Sequence, residues 1–534
     1  MLALSFPPMP FFLLAFVAFV PMLWVIGQRK VNLFLLLYIV FFIYHAGTNW
    51  WIGSWQKDTD GFLYVAGIGL AVAHPFFFMI PMVVYNYFTK KFNTGDALSL
   101  LPFIWVSFEW LRCFGDLSYP WLTIGYTQSW NRYWVQAADI AGIWGLSFLI
   151  VAANVILAKA LIANQRERAE NPGKNLFAVT GMKKYAIVLA IIIILPNIYG
   201  IIRVSGYSHK GLTESYPTVR TALIQPNINP WRKWEHNAMT MIETHKQIQD
   251  SLQNAYPGIE LAVWSETAIT YVSHEFNFLH DFSYLRSWHE KTGAALLTGF
   301  ADFYVYKPEE AHPPTAKPLR KDSSAYYSSF NSAILLTPGD TVFQVYHKMR
   351  LTPFSEKFPY LELLAFAKSW FEWNVGISSW TPGRKQVNLN FPGGRDTVKI
   401  APVICIESIY PYFVRDFVNL GANLIAVITN DGWFDYTMGP EQHYLIACMR
   451  AIENRRYVAR VANTGLTGFI CPDGSTLKEL KPYTRGAIAA DIPLLDDITL
   501  YYIFGDYLAI LSTVLVIILI FYALLHKRKK AAGL

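Results

Sequence analysis

The chain has 534 residues, of which 53% are hydrophobic and only 16% charged, and its mean hydropathy is +0.25. A water-bounded core does not absorb that much apolar surface, so part of it belongs in a bilayer, which excludes a purely soluble multidomain chain. The net charge of +7 comes from Lys and Arg clustered beside apolar runs, which suits membrane topology rather than nucleic acid, and the four cysteines form no CxxC pair, which argues against a disulfide framework or zinc knuckle.

Spanning a hydrocarbon core takes about 20 predominantly apolar residues. Runs at 10–26, 32–51, 62–87, 97–112, 134–162 and 185–202 meet that requirement, followed by a long polar middle and one more run at 500–525. The expected organisation is a membrane part over 1–203, a water-soluble domain over 204–498, and a last span with a basic tail over 499–534. Basic clusters follow the first, third, fifth and last runs ("GQRK", "TKKF", "NQRERAENPGK", "HKRKK"), whereas the intervening loops carry few. Positive charge stays on the cytoplasmic side, so the soluble domain and the N-terminus are expected on the opposite side. "MLALSFPPMP" has neither the basic start nor the cleavage site of a signal peptide. Either the chain inserts with its N-terminus out, or a helix precedes this sequence, and the second is expected.

Within the membrane part, Glu109 and Arg112 stand at i, i+3 in "SFEWLRCF". They are read as a buried functional pair or as two side chains snorkelling to the interface. The loop "YPWLTIGYTQSWNRYW" is an aromatic belt or a lipid-handling surface beneath the soluble domain.

In the soluble domain, "TVRTALIQPNI" reads as a strand, followed by a polar helix over about 231–254. "GIELAVWSETAI" is a strand ending at Glu266, "GAALLTGFAD" and "SSFNSAILLTPGD" are two more, and "VFQVYHK" ends at Lys348. "DTVKIAPVICIES" ends at Cys405 and "GANLIAVITNDGWF" at Asn430-Asp431. Strands alternating with helices give a layered α/β fold, whose reactive groups gather at strand ends. A carboxylate, an ammonium and a thiol at those ends suffice for acyl transfer. Cys405 is the nucleophile, Glu266 its base, and Lys348 with the backbone N–H of Ile406 the donors to a tetrahedral oxyanion. Each also has a plain structural reading, and Cys448 and Cys471 are left as small core hydrophobes.

"VWSETAI", "YHKMRLTPFSEKFP", "ICIES" and "TNDGWFDYTMGPEQHYLIACMRAIENRRYVARVANTG" together resemble the nitrilase (carbon–nitrogen hydrolase) superfamily. With "LIQPNINPWRKW" and "YPWLTIGYTQ" they are most similar to its membrane branch, the apolipoprotein N-acyltransferase family. That resemblance implies a polytopic α-helical membrane domain plus an α/β nitrilase-like domain, an αββα sandwich, with no cofactor. It implies a Glu266–Lys348–Cys405 triad supported by Glu356 and Glu407, and Trp234 and Trp433 lining or gating a lipid entrance. The implied chemistry moves an acyl chain from a phospholipid, phosphatidylethanolamine, through a cysteine thioester to the α-amine of a diacylglyceryl-modified apolipoprotein. The implied place is the bacterial inner membrane, catalytic domain on the periplasmic side. The aromatic stretch 363–380 suits a lid dipping toward lipid or a packed surface helix, and the Pro- and charge-rich 306–327 an inserted mobile loop.

The chain departs from the family in three places: Ile406 stands where an aromatic is common, Gly432 and Asp435 replace the usual small residues, and six segments precede the domain instead of seven. Two rivals share the sequence features. One is a membrane-tethered amidase using water as acceptor, distinguished by its products, and the other a transporter with a non-catalytic outer domain, which would tolerate Cys405→Ala. Metal catalysis lacks an HExxH motif, and His274 and His280 have no ligand spacing.

Overall fold

The computed structural model describes all residues except 28–30, 54–60, 171–181, 271–279, 308, 314–315, 320–323, 358, 361–379, 394–395 and 526–534. Most of the expected lid, the basic clusters at 28–30 and 526–530, most of "GSWQKDTDG", part of the fifth-run basic loop, part of the insertion and His274 therefore lie outside the described residues.

Five described helices are long and apolar enough to cross a membrane: Leu33–Gly53, Leu63–Thr89, Trp134–Gln165, Met182–Ser205 and Tyr507–Leu525. Their outer faces carry exposed Val65, Phe76, Ile194, Leu195, Leu511 and Ile518, surface that suits lipid contact. The run at 10–26 is not one continuous span. A 3-10 turn, Phe12–Phe16, breaks before a short helix, Val20–Gly27. Irregular backbone survives at membrane depth only where protein satisfies it. Here buried Asn154 does so, accepting from Phe19 N–H at 2.8 Å and donating to the Ala15 carbonyl at 2.7 Å. The run at 97–112 forms the helix Thr94–Leu111, interrupted by no loop but carrying Pro102 and Glu109. Glu109 and Arg112 do not pair with each other. Glu109 accepts from Trp105 Nε1 (2.9 Å) and Ile124 N–H (2.7 Å), while Arg112 reaches His74 Nε2 (3.1 Å) and the Tyr119 carbonyl.

The soluble domain holds two sheets. The first comprises β1 (Thr218–Gln225), β2 (Leu261–Trp264), β3 (Ala295–Val305), β4 (Lys317–Pro318), β5 (Tyr326–Leu336), β6 (Gln344–His347) and β13 (Gly486–Pro493), in the order β13-β1-β2-β3-β5-β4, with β6 also on β5. The second comprises β7 (Leu389–Pro392), β8 (Thr397–Ile404), β9 (Leu424–Thr429), β10 (Val458–Ala462), β11 (Thr467–Ile470) and β12 (Thr476–Leu480), in the order β12-β11-β10-β9-β8-β7. The centres, β1-β2-β3 and β8-β9-β10, are parallel and the edges antiparallel.

Parallel strands buried on both faces must be apolar throughout, which is why "LIAVIT" shows no alternation. Alternate residues still part company. Val219, Leu223, Leu261 and Val263 join the core shared with the second sheet, whereas Ala222, Ile224, Ala262 and Trp264 pack with helices Ala238–Ala255 and His280–Thr292. Helices Pro411–Asn419 and Gly439–Asn454 lie against the second sheet. The result is the expected αββα sandwich. The described part of the 306–327 insertion folds back rather than away, as β4 pairs with Tyr326–Tyr327 and His312 stacks on Tyr326 at 3.9 Å.

Helix Gly439–Asn454 joins the two halves. Gln442 is fully buried and uses both ends of its amide. Oε1 accepts from Trp51 Nε1 (3.1 Å) and Trp121 Nε1 (2.8 Å), and Nε2 donates to the carbonyls of Pro7 (2.9 Å) and Thr48 (3.1 Å). At the helix end, Arg455 adopts φ +47° and places its guanidinium on Asp139 of the membrane half (2.6 Å) and on Gln136 (2.7 Å). Arg203 and Tyr199 also reach Asp139. Removing one partner of a buried ion pair costs about 3–5 kcal/mol. Arg455→Met is expected to cost about 3 kcal/mol, the low end of that range, because Asp139 keeps two partners. Thermal unfolding in detergent should show the loss as a lower midpoint.

Candidate active site

Three strands end on one edge of the sandwich and deliver the three expected groups. The chain leaves β2 through Ser265 into a turn that carries Glu266, with Thr267 at φ +45°. β3 lies so close to this turn that a Cβ on Gly299 would sit 2.5 Å from Thr267 N and 2.8 Å from Glu266 Cα, so only glycine fits. β6 ends at His347 and presents Lys348, and β8 ends at Ile404 and presents Cys405. Cys405 stands at φ +50°, a left-handed conformation that non-glycine residues adopt only under constraint, and opens a one-turn 3-10 helix, Cys405–Ile409. Ile406 N–H belongs to that first turn, where amides have no intrahelical acceptor.

Lys348 is the centre. Its ammonium lies 3.1 Å from Glu266 Oε1 and 2.8 Å from Glu356 Oε1, and the residue is 1% exposed. Burial opposes its charge, but the two carboxylates outweigh burial and hold the ammonium well above its ordinary pKa. Glu356 is anchored from behind by Thr352, which donates through N–H (2.8 Å) and Oγ1 (3.0 Å) to Oε2. Burial would raise its pKa, yet Lys348 and these donors keep it low, so it remains a carboxylate. The Cys405 thiol is pushed up, first by burial and then by the Glu266 charge, with Lys348 pulling the other way. The balance favours the protonated thiol. Cys448 and Cys471 are buried, and burial lifts their thiols to about 12 and about 11.

Glu407 does not point at the thiol. Oε1 accepts from Tyr346 Oη (2.6 Å) and from the N–H groups of Met349 (2.7 Å) and Arg350 (3.2 Å), and Oε2 accepts from Ile404 N–H (2.8 Å). It staples the backbone after Lys348 to the backbone before Cys405. Burial pushes it up to about 7, with Tyr346 and the amides opposing. Trp234 and Trp433 are half-buried and not stacked on each other. Trp433 meets Trp231 edge-on at 5.0 Å, and Trp234 lies 6.4 Å from Trp380. Gly432 has its own local reason: a Cβ there would meet the Thr464 methyl at 2.3 Å, so Thr464 occupies the space.

Two residues of this site carry no signal that motif reading weighs. Asn331, on β5, donates from Nδ2 to both Glu266 Oε1 (2.7 Å) and Glu356 Oε1 (3.1 Å), bridging the carboxylates that Lys348 also bridges. An amide just before the apolar end of the strand "SSFNSAILL" was the available hint. Lys233, 1% exposed, donates to the Glu266 carbonyl (3.0 Å) and to Thr267 Oγ1 (2.7 Å), clamping the left-handed turn. Burial lowers its pKa from 10.5 to about 7.

That shift has a sign. Between about pH 7 and 10.5 the unfolded chain holds a proton on Lys233 that the folded chain has released, so this residue makes stability rise with pH across that window. Lys233→Met is expected to flatten the rise of the thermal midpoint between pH 7 and 10, and to reduce activity through a misplaced Glu266 by at least tenfold, about the value of one lost hydrogen bond. Unfolding scans across that range and an activity assay check both.

Residues 1–156 match the apolipoprotein N-acyltransferase N-terminal domain, and residues 220–499 match the carbon-nitrogen hydrolase family. Similar relatives are apolipoprotein N-acyltransferases of Chlorobaculum tepidum (35% identical, covering 82% of this chain and 79% of that one) and Geobacter metallireducens (28%, 95% and 90%). Apolipoprotein N-acyltransferase 1 of Treponema denticola is 26% identical over 97% of this chain and 92% of that one. With a membrane half and a catalytic half matched in the same order, the chain belongs to the apolipoprotein N-acyltransferase family.

Proposed function

We propose that this chain transfers a fatty acyl group from a phospholipid, by way of a thioester on Cys405, to the α-amine of the S-diacylglyceryl cysteine of an apolipoprotein. The observation that carries the reading is the Lys348 ammonium held between Glu266 and Glu356 beside the Cys405 thiol. Glu266 takes the Sγ proton as sulfur attacks the sn-1 ester carbon. The oxyanion rests on Lys348 and on Ile406 N–H. Collapse breaks the ester C–O bond, and the departing glycerol oxygen takes the proton from Glu266, leaving thioester and lysophospholipid. In the second half Glu266 takes a proton from the acceptor amine, nitrogen attacks the thioester carbon, and the C–S bond breaks as the proton returns to sulfur. Glu356 stays ionised throughout and keeps Lys348 in place. Glu407 fixes the distance between Lys348 and Cys405, and Trp234 and Trp433 border the lipid's way in.

Phosphatidylethanolamine is the proposed donor, and the bacterial inner membrane the proposed place, with the catalytic domain on the periplasmic face. The orientation is supported by which ends of the helices meet the domain. Trp51, ending the first long span, contacts Phe434 at 4.7 Å, and Asp116, after Leu111, binds Lys357 at 2.9 Å. Lys90 and Lys91 cap the opposite ends, where positive charge marks the cytoplasm. A thiol held at that face meets two membrane-anchored substrates at high effective concentration.

Purified protein incubated with phosphatidylethanolamine alone is expected to gain one acyl chain on Cys405, labile to hydroxylamine and seen by mass spectrometry. Adding a diacylglyceryl lipopeptide should discharge it to the peptide amine. Cys405→Ala should gain nothing, and Lys348→Met should slow the adduct by about 10²–10³-fold. An adduct elsewhere, or discharge only to water with free fatty acid as product, would refute the transferase reading.

A further inference from the structure

Behind the nucleophile lies a second buried polar network, outside the roles assigned above. His443, on the fully packed helix Gly439–Asn454, has Nδ1 2.9 Å from Asp431 Oδ1. Its Nε2 lies 2.8 Å from Ser408 Oγ and 3.2 Å from the carbonyl oxygen of Cys405. Ser408 Oγ in turn donates to that same carbonyl at 2.9 Å. Asp431 Oδ2 accepts from Arg460 Nη2 (2.8 Å) and Oδ1 from Thr429 Oγ1 (3.0 Å). His443 and Asp431 are 3% exposed and Ser408 and Arg460 0%. Ser408, His443 and Asp431 stand in the order of a hydrolase triad, but a hydroxyl with no exposed surface, already donating to a backbone carbonyl, attacks nothing.

Asp431 only accepts, so Nδ1 carries a hydrogen. Nε2, Ser408 Oγ and the Cys405 carbonyl form a triangle of three close approaches. In a neutral imidazole only the Ser408 hydrogen would serve all three, and two bare acceptors would face each other at 3.2 Å. With a hydrogen on Nε2, His443 donates to Ser408 and the carbonyl, Ser408 donates to the carbonyl, and every approach is satisfied. Asp431 supports the charge: burial opposes its ionisation, but Arg460 and His443 overcome it and hold the carboxyl far below its usual range. Among the described residues, the charged or titratable groups bonded to His443 or to its partner are Asp431 from the turn after β9, Arg460 from β10, which binds Asp431, and Cys405 through its carbonyl. The membrane half contributes the uncharged Trp121 ring at 5.3 Å.

We infer that His443 is a positioning residue for thioester formation: as an imidazolium paired with Asp431 it grips the carbonyl of Cys405, fixes the left-handed turn that presents Sγ, and places positive charge behind the forming thiolate. This rests on the proposed Cys405 thioester chemistry, and the test separates the two. The full-length protein in detergent is given phosphatidylethanolamine alone, and the rate of Cys405 acylation is followed against lipid concentration and pH. His443→Gln is expected to lower the limiting rate about 10²-fold, the scale of a nucleophile misplaced by about 1 Å. Half-saturating lipid should stay unchanged within about twofold, and the rise of rate with pH should move to higher pH, because a neutral amide no longer favours the thiolate. Ser408→Ala, which removes one hydroxyl from the same grip, is expected to lower the limiting rate about tenfold, the value of one hydrogen bond. It stands in if His443→Gln fails to fold. Wild-type limiting rate and pH profile in folded His443→Gln, or in Ser408→Ala, would overturn the inference while leaving the thioester intact. Absence of any Cys405 adduct in the unaltered protein would overturn the thioester reading itself.

Discussion

The structure is organised around one buried ammonium between two carboxylates. Lys348 lies between Glu266 and Glu356 in a space almost closed to water, and such a cluster persists only where further donors support it. Asn331 donates to Oε1 of both carboxylates and Thr352 to Oε2 of Glu356. Burial first, and then the Glu266 charge, push the Cys405 thiol up, which suits the proposed role of Glu266 as its proton acceptor.

Cys405 and the neighbour of Glu266, Thr267, stand where the backbone is strained, and both turns are held from outside. Thr267 at φ +45° is clamped by Lys233, and Cys405 at φ +50° by Ser408 and His443. Glu407 then ties the Lys348 loop to the strand that leads into Cys405. Strain of this kind costs about 1–3 kcal/mol per residue and persists only where surrounding bonds over-determine it. The positions of Glu266, Lys348 and Cys405 are thus set by the fold itself.

Helix Gly439–Asn454 makes that setting continuous with the bilayer. Gln442 is bonded to four groups of the membrane half, and the next residue, His443, reaches the backbone carbonyl of Cys405. The placement of Cys405 relative to the membrane half therefore follows from packing rather than from a linker. Substrates whose reactive groups sit at a fixed depth in a lipid layer call for that constraint.

The apolar runs that become spans were legible in the sequence because a bilayer filters residues one by one, by hydration. The strands ending at Glu266, Lys348 and Cys405 were legible because buried parallel strands must be apolar and their ends must be polar. Only tertiary structure decided that the 10–26 run breaks, since the bonds permitting the break come from Asn154 on a distant helix. It alone decided that Glu109 and Arg112 take other partners, that Glu407 staples instead of facing the thiol, and that Lys233, Asn331 and His443 support the site. Each of these rests on a contact of about 3 Å between residues tens to hundreds of positions apart. Local pattern records what a residue is and which element it joins. Which buried donor meets which acceptor is set by the packing of the whole chain.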